Sequence, residues 1–165
     1  MTTSKFSSLC LGLAVVGSSL FFTNCKKDEK DPEPEPTPTP VVQTNTEKLT
    51  GKNYKMTAAT VEPAIFGITD FYGQMTDCEK DDLVRFDTPN IYKDDEGPTK
   101  CNTNDPQTTS GTWVWNTDET ILTITSGSEN TSYNVLQNDG TTLKVKYTEN
   151  INGTNYALTA TYVKQ

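Results

Sequence analysis

From Thr46 to the end of the chain, apolar side chains fall at every second position within short segments, and turn signals separate the segments every 8 to 12 residues. A period of two places alternate side chains on opposite faces of an extended strand, so each segment reads as a strand with one apolar face. Thr141 to Glu149 is the cleanest case, with Leu143, Val145 and Tyr147 on one face and Lys144 and Lys146 on the other. Thr154 to Val163 aligns Tyr156, Leu158, Ala160 and Tyr162. Thr131 to Asn138 aligns Tyr133 with Val135, Thr120 to Thr125 aligns Leu122 with Ile124, and Thr112 to Asn116 aligns Trp113 with Trp115. Ahead of these, Lys52 to Glu62 sets Tyr54, Met56 and Ala58 against Lys55, Thr57 and Ala59, and Pro63 is expected to end it. Leu83 to Asp87 and Ile91 to Asp94 complete the set. Thr88-Pro89-Asn90, Asn138-Asp139-Gly140 and Asn152-Gly153 read as tight turns, the last being the strongest hairpin signal of the three. Thr69 to Asp82 and Thr99 to Ser110 lack alternation and are expected to be loops, the first with a helical turn.

The predicted fold is therefore all-β, with eight antiparallel strands in an up-and-down barrel. Closure removes exposed strand edges, and a barrel of eight strands is either filled by its own side chains or leaves room for one small ligand. Alternation by itself also allows a two-sheet sandwich. Composition agrees with strands, since 29 of the 165 residues are Thr.

The first part of the chain reads as an address and a tether. Residues 1–24 have the pattern of a signal peptide, with Lys5 ahead of the apolar run Leu9 to Phe22. That run is too short to span a bilayer as a helix. Cys25 comes directly after it and is expected to be the lipidated residue of a lipoprotein, joined to the membrane through acyl chains such as palmitate. More than one chain on a residue gives a stable anchor. Residues 25–45 form the lipidated Cys and linker. Within them Asp31 to Pro40 (DPEPEPTPTP) favours extended polyproline II and reads as a disordered tether, spanning roughly 30 Å at about 3.1 Å per residue. Residues 46–165 form the barrel domain.

The four cysteines sort by compartment. Cys10 lies in the signal core and Cys25 takes lipid, which leaves Cys78 and Cys101 in an exported chain. Two thiols remaining in an oxidising compartment are expected to pair, and closing that loop stabilises by roughly 3–4 kcal/mol through lost chain entropy. A metal pair is the competing use, but two Cys without His make a poor zinc site.

Several short stretches then carry a resemblance: Leu49-Thr50-Gly51-Lys52, Asp77-Cys78-Glu79-Lys80-Asp81-Asp82-Leu83, Asp94-Asp95-Glu96-Gly97, Lys100-Cys101, Asp105-Pro106 and Gly111-Thr112-Trp113. In this order they resemble the lipocalin-like domain of lipoproteins from Gram-negative bacteria. Lys27-Asp28-Glu29 behind Cys25 resembles the Bacteroidetes-type export signal. The resemblance implies a lipocalin-like barrel on an outer-membrane lipoprotein displayed at the cell surface, with ligand binding only by analogy. The first strand departs from the usual Gly-x-Trp, carrying Gly51-Lys52-Asn53-Tyr54.

The absence of His removes Ser-His-Asp and Cys-His chemistry, and nothing assembles a nucleophile, base and oxyanion site, so no enzyme activity is expected. A formal net charge of -8 opposes binding to nucleic acid. No cofactor and no metal are expected, since the carboxylates between Asp77 and Glu96 fit no calcium loop. Arg85, the one arginine, is expected to pair with one of these acids. The aromatics expected to face inward are Tyr54, Phe86, Trp113, Trp115, Tyr133, Tyr147, Tyr156 and Tyr162. They read either as plain core or as the lining of a pocket for a small apolar or aromatic ligand. The expected function is thus a monomeric surface lipoprotein that binds such a ligand. The alternative is an interaction module with a filled barrel that touches protein or glycan through its loops.

Overall fold

The computed structural model describes residues 42–165. The signal peptide, Cys25 and the Pro-rich tether lie outside the described residues. The elements are α1 (Asn45–Leu49), β1 (Asn53–Ile65), β2 (Ile68–Asp70), a 3-10 turn (Tyr72–Gln74), α2 (Asp77–Lys80), β3 (Leu83–Asp87), β4 (Ile91–Asp95), β5 (Thr108–Trp115), β6 (Ile121–Ser126), β7 (Glu129–Asn138), β8 (Thr142–Ile151) and β9 (Thr154–Lys164). Each strand from β3 to β9 pairs antiparallel with the next, and β1 pairs with both β3 and β9. The ring of eight is therefore closed, the up-and-down barrel rather than a sandwich. The closing seam is uneven. β1 runs beside β9 from Tyr54↔Lys164 to Glu62↔Ala157, but meets β3 only at Asn53↔Arg85, Tyr54↔Val84 and Lys55↔Leu83. β2 is a short extra strand on the far end of β1.

The first strand departs from the simple alternation. Its register against β9 shifts between Met56 and Ala58, an extra residue that reverses the facing of the residues after it. Ala59 and Val61 are buried while Ala58 is exposed, so the expected grouping of Ala58 with Tyr54 and Met56 is corrected. Pro63 does not end the strand. It lies beyond Glu62, the last residue in register with β9, and inside the register shift between Thr60 and Ile65 on the β2 side. A residue without an N–H is tolerated at such a break in the ladder. β1 then turns through Phe66 and Gly67, both at positive φ. β5 begins at Thr108, inside the segment expected as loop.

Helix α1 starts at Asn45, a residue the sequence reading gives to the linker. Thr44 and Glu47 cap it reciprocally: the Glu47 N–H donates to Thr44 Oγ1 (3.2 Å), and the Thr44 N–H donates to the Glu47 carboxylate (2.8 Å). The helix lies across one end of the barrel. Leu49 is fully buried among barrel side chains, Asn138 Nδ2 donates to Asn45 O (2.8 Å), the Asn45 N–H donates to Glu119 (3.2 Å), and the Gly51 N–H donates to Phe86 O (2.8 Å). This closed end holds the packed core of Leu49, Tyr54, Phe86, Trp113, Leu122, Leu143 and Val145. Two buried polar tips there find partners. Tyr54 Oη donates to Lys48 O (3.0 Å), and Trp113 Nε1 donates to Asp87 O (3.1 Å). Burial, with Asp139 nearby, pushes the Tyr54 phenol up to about 12.

Candidate functional site

The opposite end of the barrel is built differently. β3 and β4 are five residues each, so the wall there is low. Val84 on β3, Tyr92 and Asp94 on β4, Ile124 on β6, Tyr133 on β7 and Tyr162 on β9 turn inward around it. An interior void of about 40 Å³ reaches from Phe86, Leu122, Leu143 and Val145 up to Tyr92, Tyr133 and Tyr162. It shares its upper walls with two recesses of about 170 Å³ each. One lies toward Met56, Met75, Glu79 and Asp82 at the uneven seam. The other lies toward Ser126, Glu129 and Thr131. Tyr92 borders all three spaces. These volumes suit a ligand smaller than the roughly 300–1,000 Å³ range of drug-sized sites.

Tyr92 is only 9% exposed, and its hydroxyl, which pairs with no side chain among the described residues, is reached by solvent at the mouth. Burial pushes its phenol far up, reinforced by Asp94, Tyr162 and Tyr133. Burial likewise raises Tyr162, with Tyr133, Asp94 and Tyr147 adding to it. Tyr92 and Asp94 border both recesses, Tyr162 the first and Tyr133 the second. Asp94 is open to solvent through the mouth but ringed by protein, and this burial, followed by Glu96 and Asp95, raises its pKa. Asp82 rises to about 6 for the same reason, burial first and then the charges of Glu96, Asp94, Asp81 and Glu79. One oxygen of Asp82 and one of Asp81 are buried with no donor among the described residues. No lysine or arginine lines either recess.

The nearby cations are held elsewhere. Arg85 Nε and Lys93 Nζ both donate to Asp87 on the outer wall, at 2.8 Å and 3.0 Å, which gives Arg85 the acidic partner expected of it. Lys80 Nζ lies over the Tyr72 ring, 5.3 Å from its centre. No group of three or more acidic or sulfur side chains among the described residues is placed to hold a metal ion. An outer groove of about 260 Å³ beside Asn53, Leu83, Arg85 and Thr108 contains these paired cations and no aromatic ring.

The mouth is held by a disulfide between Cys78 and Cys101, with Cα atoms 5.2 Å apart. It ties α2 to the loop between β4 and β5. The pairing expected from the sequence is thus the one formed. Gly97 permits the same loop to pack down. It has φ +64, and a Cβ there would lie 2.3 Å from Asp81 O.

The eight aromatics expected as a pocket divide into distinct groups. Phe86, Tyr133 and Tyr162 line the void. Tyr54 and Trp113 are buried in the closed end and line none of it. Trp115 packs edge-on against Trp113, with ring centres 6.4 Å apart, and its indole N–H is buried without an acceptor among the described residues. Tyr147 meets the edge of Tyr133 at 5.2 Å and stands behind the lining. Tyr156 is half-buried on β9, away from the recesses. Sequence reasoning missed Tyr92, Asp94 and Asp82. The signal lay in β4 (Ile91-Tyr92-Lys93-Asp94-Asp95), where Tyr92 stands directly across from Phe86. Facing Tyr92 inward also carries Asp94 inward, an acid at a position that alternation assigns to apolar residues.

No protein-family model and no curated protein matches the chain.

Proposed function

We propose that this chain is a lipid-anchored outer-membrane lipoprotein, displayed at the cell surface, whose lipocalin-like barrel takes a small ligand into its open end without reacting with it. One observation carries the ligand reading. Half of the barrel is packed around Leu49, Tyr54 and Trp113, while the other half opens on recesses that Tyr92, Tyr133 and Tyr162 border and where the Tyr92 hydroxyl pairs with no side chain among the described residues. A small molecule with an apolar body and one polar group would pack on these rings and pair with that hydroxyl in place of water. The segment from Met1 to Cys25 and the resemblance to lipocalin-like lipoproteins support the address.

Two experiments test this reading. A Cys25→Ala chain should lose incorporated fatty acid and leave the membrane fraction; retention in the membrane overturns the anchor. For the ligand, saturation-transfer NMR with phenethyl alcohol and its amine analogue should show contact. That contact should vanish when Ile124→Trp fills the void while circular dichroism stays unchanged. Unchanged contact in the filled barrel overturns the mouth as the site.

A second reading, the interaction module, is favoured by a separate feature. Phe66, at the tip of the β1–β2 hairpin, is 99% exposed. If that tip alone carries the function, Phe66→Ser abolishes partner capture and Ile124→Trp does not.

A further inference from the structure

We propose that the open end of the barrel selects an organic cation, a small alkyl- or arylammonium. Its charged head would sit against Asp94 and its apolar body against Tyr92, Tyr133 and Tyr162. The inference rests on the reading of the mouth as a ligand site and adds the chemical class of the ligand.

The recesses are lined by carboxylates from four positions, Glu79, Asp82, Asp94 and Glu129, and by no basic side chain. Their negative potential is uncompensated from within the cavity. Arg85 and Lys93 are paired with Asp87 on the outer wall, while Lys80 and the Thr76 donors serve Glu79, which leaves Asp82, Asp94 and Glu129 to set the field. Low-dielectric walls strengthen such a field and favour a ligand of opposite charge. The aromatic walls point the same way, because a ring face attracts a cation within about 6 Å of its centre. An ammonium also brings N–H donors for the carboxylate of Asp94, which borders both recesses.

A bare metal ion would meet no suitable set of ligands among the described residues. A neutral ligand would leave the carboxylates repelling one another. That repulsion is visible in the raised pKa values of Asp82 and Asp94, to which neighbouring acids contribute after burial.

The test uses three molecules that share a ring and a two-carbon arm: phenethylamine, phenethyl alcohol and phenylacetate. Their affinities for the purified full chain are measured by calorimetry at pH 7.5. Phenethylamine should bind at least tenfold more tightly than the alcohol, and phenylacetate should not bind. Asp94→Asn should weaken the amine about tenfold, with an unchanged circular dichroism spectrum and melting curve reporting that the variant is folded. Asp118→Asn, which removes one charge at the closed end, should change neither the amine nor the alcohol affinity. If Asp94→Asn does not fold, the ratio of amine to alcohol on the unaltered chain decides. Equal affinity for amine and alcohol overturns the cation inference and leaves the mouth site standing. Binding of none of the three at millimolar concentration overturns both.

Discussion

Replacing Asp82 by Asn should stabilise the protein at neutral pH and not in acid. Asp82 sits between α2 and β3, with one oxygen buried and donorless, and its carboxyl is raised from 3.8 to about 6. The folded state therefore holds the proton more tightly than the unfolded chain. This contribution to stability is fully present below the unfolded pKa and is lost as pH rises through about 6. The gap between the two values corresponds to about 3 kcal/mol at about 1.4 kcal/mol per pH unit. Solvent at the open mouth screens part of it, leaving about 1–2 kcal/mol. Asn keeps the shape and removes the charge. Thermal melts followed by circular dichroism should show Asp82→Asn several degrees above the parent at pH 7.5, roughly 3–8 °C for a domain of this size. At pH 4, where the parent carboxyl is itself protonated, the two curves should converge. A variant less stable than the parent at pH 7.5, or an equal gain at both pH values, would refute the electrostatic reasoning. Excess stability gained by removing a charge is also what a site kept for binding rather than folding is expected to show.

Other perturbations read other parts of the structure. Cys101→Ser releases α2 from the β4–β5 loop and should cost roughly 3–4 kcal/mol in a denaturant titration, the loop-closure value; adding reductant to the parent should reproduce the loss. Gly111→Ala places a Cβ 2.2 Å from Thr125 O on the neighbouring strand. The unfolding free energy from a urea titration should fall by about 1–3 kcal/mol, since a β5–β6 backbone this close has no slack to give. Leu49→Ala empties the position that α1 fills at the closed end and should cost about 2–5 kcal/mol in the same titration. A loss below about 1 kcal/mol, well under that cavity cost, would mean that α1 is not part of the cooperative fold.

The strand ladder was legible because one face of each strand meets a packed core. Leu143, Val145 and Tyr147 alternate without interruption, and β8 pairs in simple register with β9. Legibility failed where the ladder slips. The extra residue near Thr57 reversed the face of β1, and no side chain in that stretch announces it. The shift between Val135 and Gln137 similarly leaves Leu136 more than half exposed. The T-x-x-E pattern of Thr44 and Glu47 was a readable helix start, hidden by the linker composition before it. The disulfide could be read from the expectation that two thiols left over in an exported chain pair. The site could be read only in part, because Tyr133 and Tyr162 obey the apolar alternation whereas Asp94 violates it. Asp94 is tolerated inward only where the barrel is wet, and the sequence does not mark which end that is. The tryptophans, which drew attention as pocket candidates, instead fill the closed end, since their bulk and the Trp113 bond to Asp87 O suit a dry core.

The most direct measurement is a map of contacts between phenethylamine and the full chain by nuclear Overhauser effects. Ring protons of the ligand should contact the Ile124 methyl groups and the rings of Tyr92, Tyr133 and Tyr162, and none should reach Trp113. Contacts confined to Phe66, to the outer groove beside Arg85 or to the closed end would contradict a ligand site at the barrel mouth.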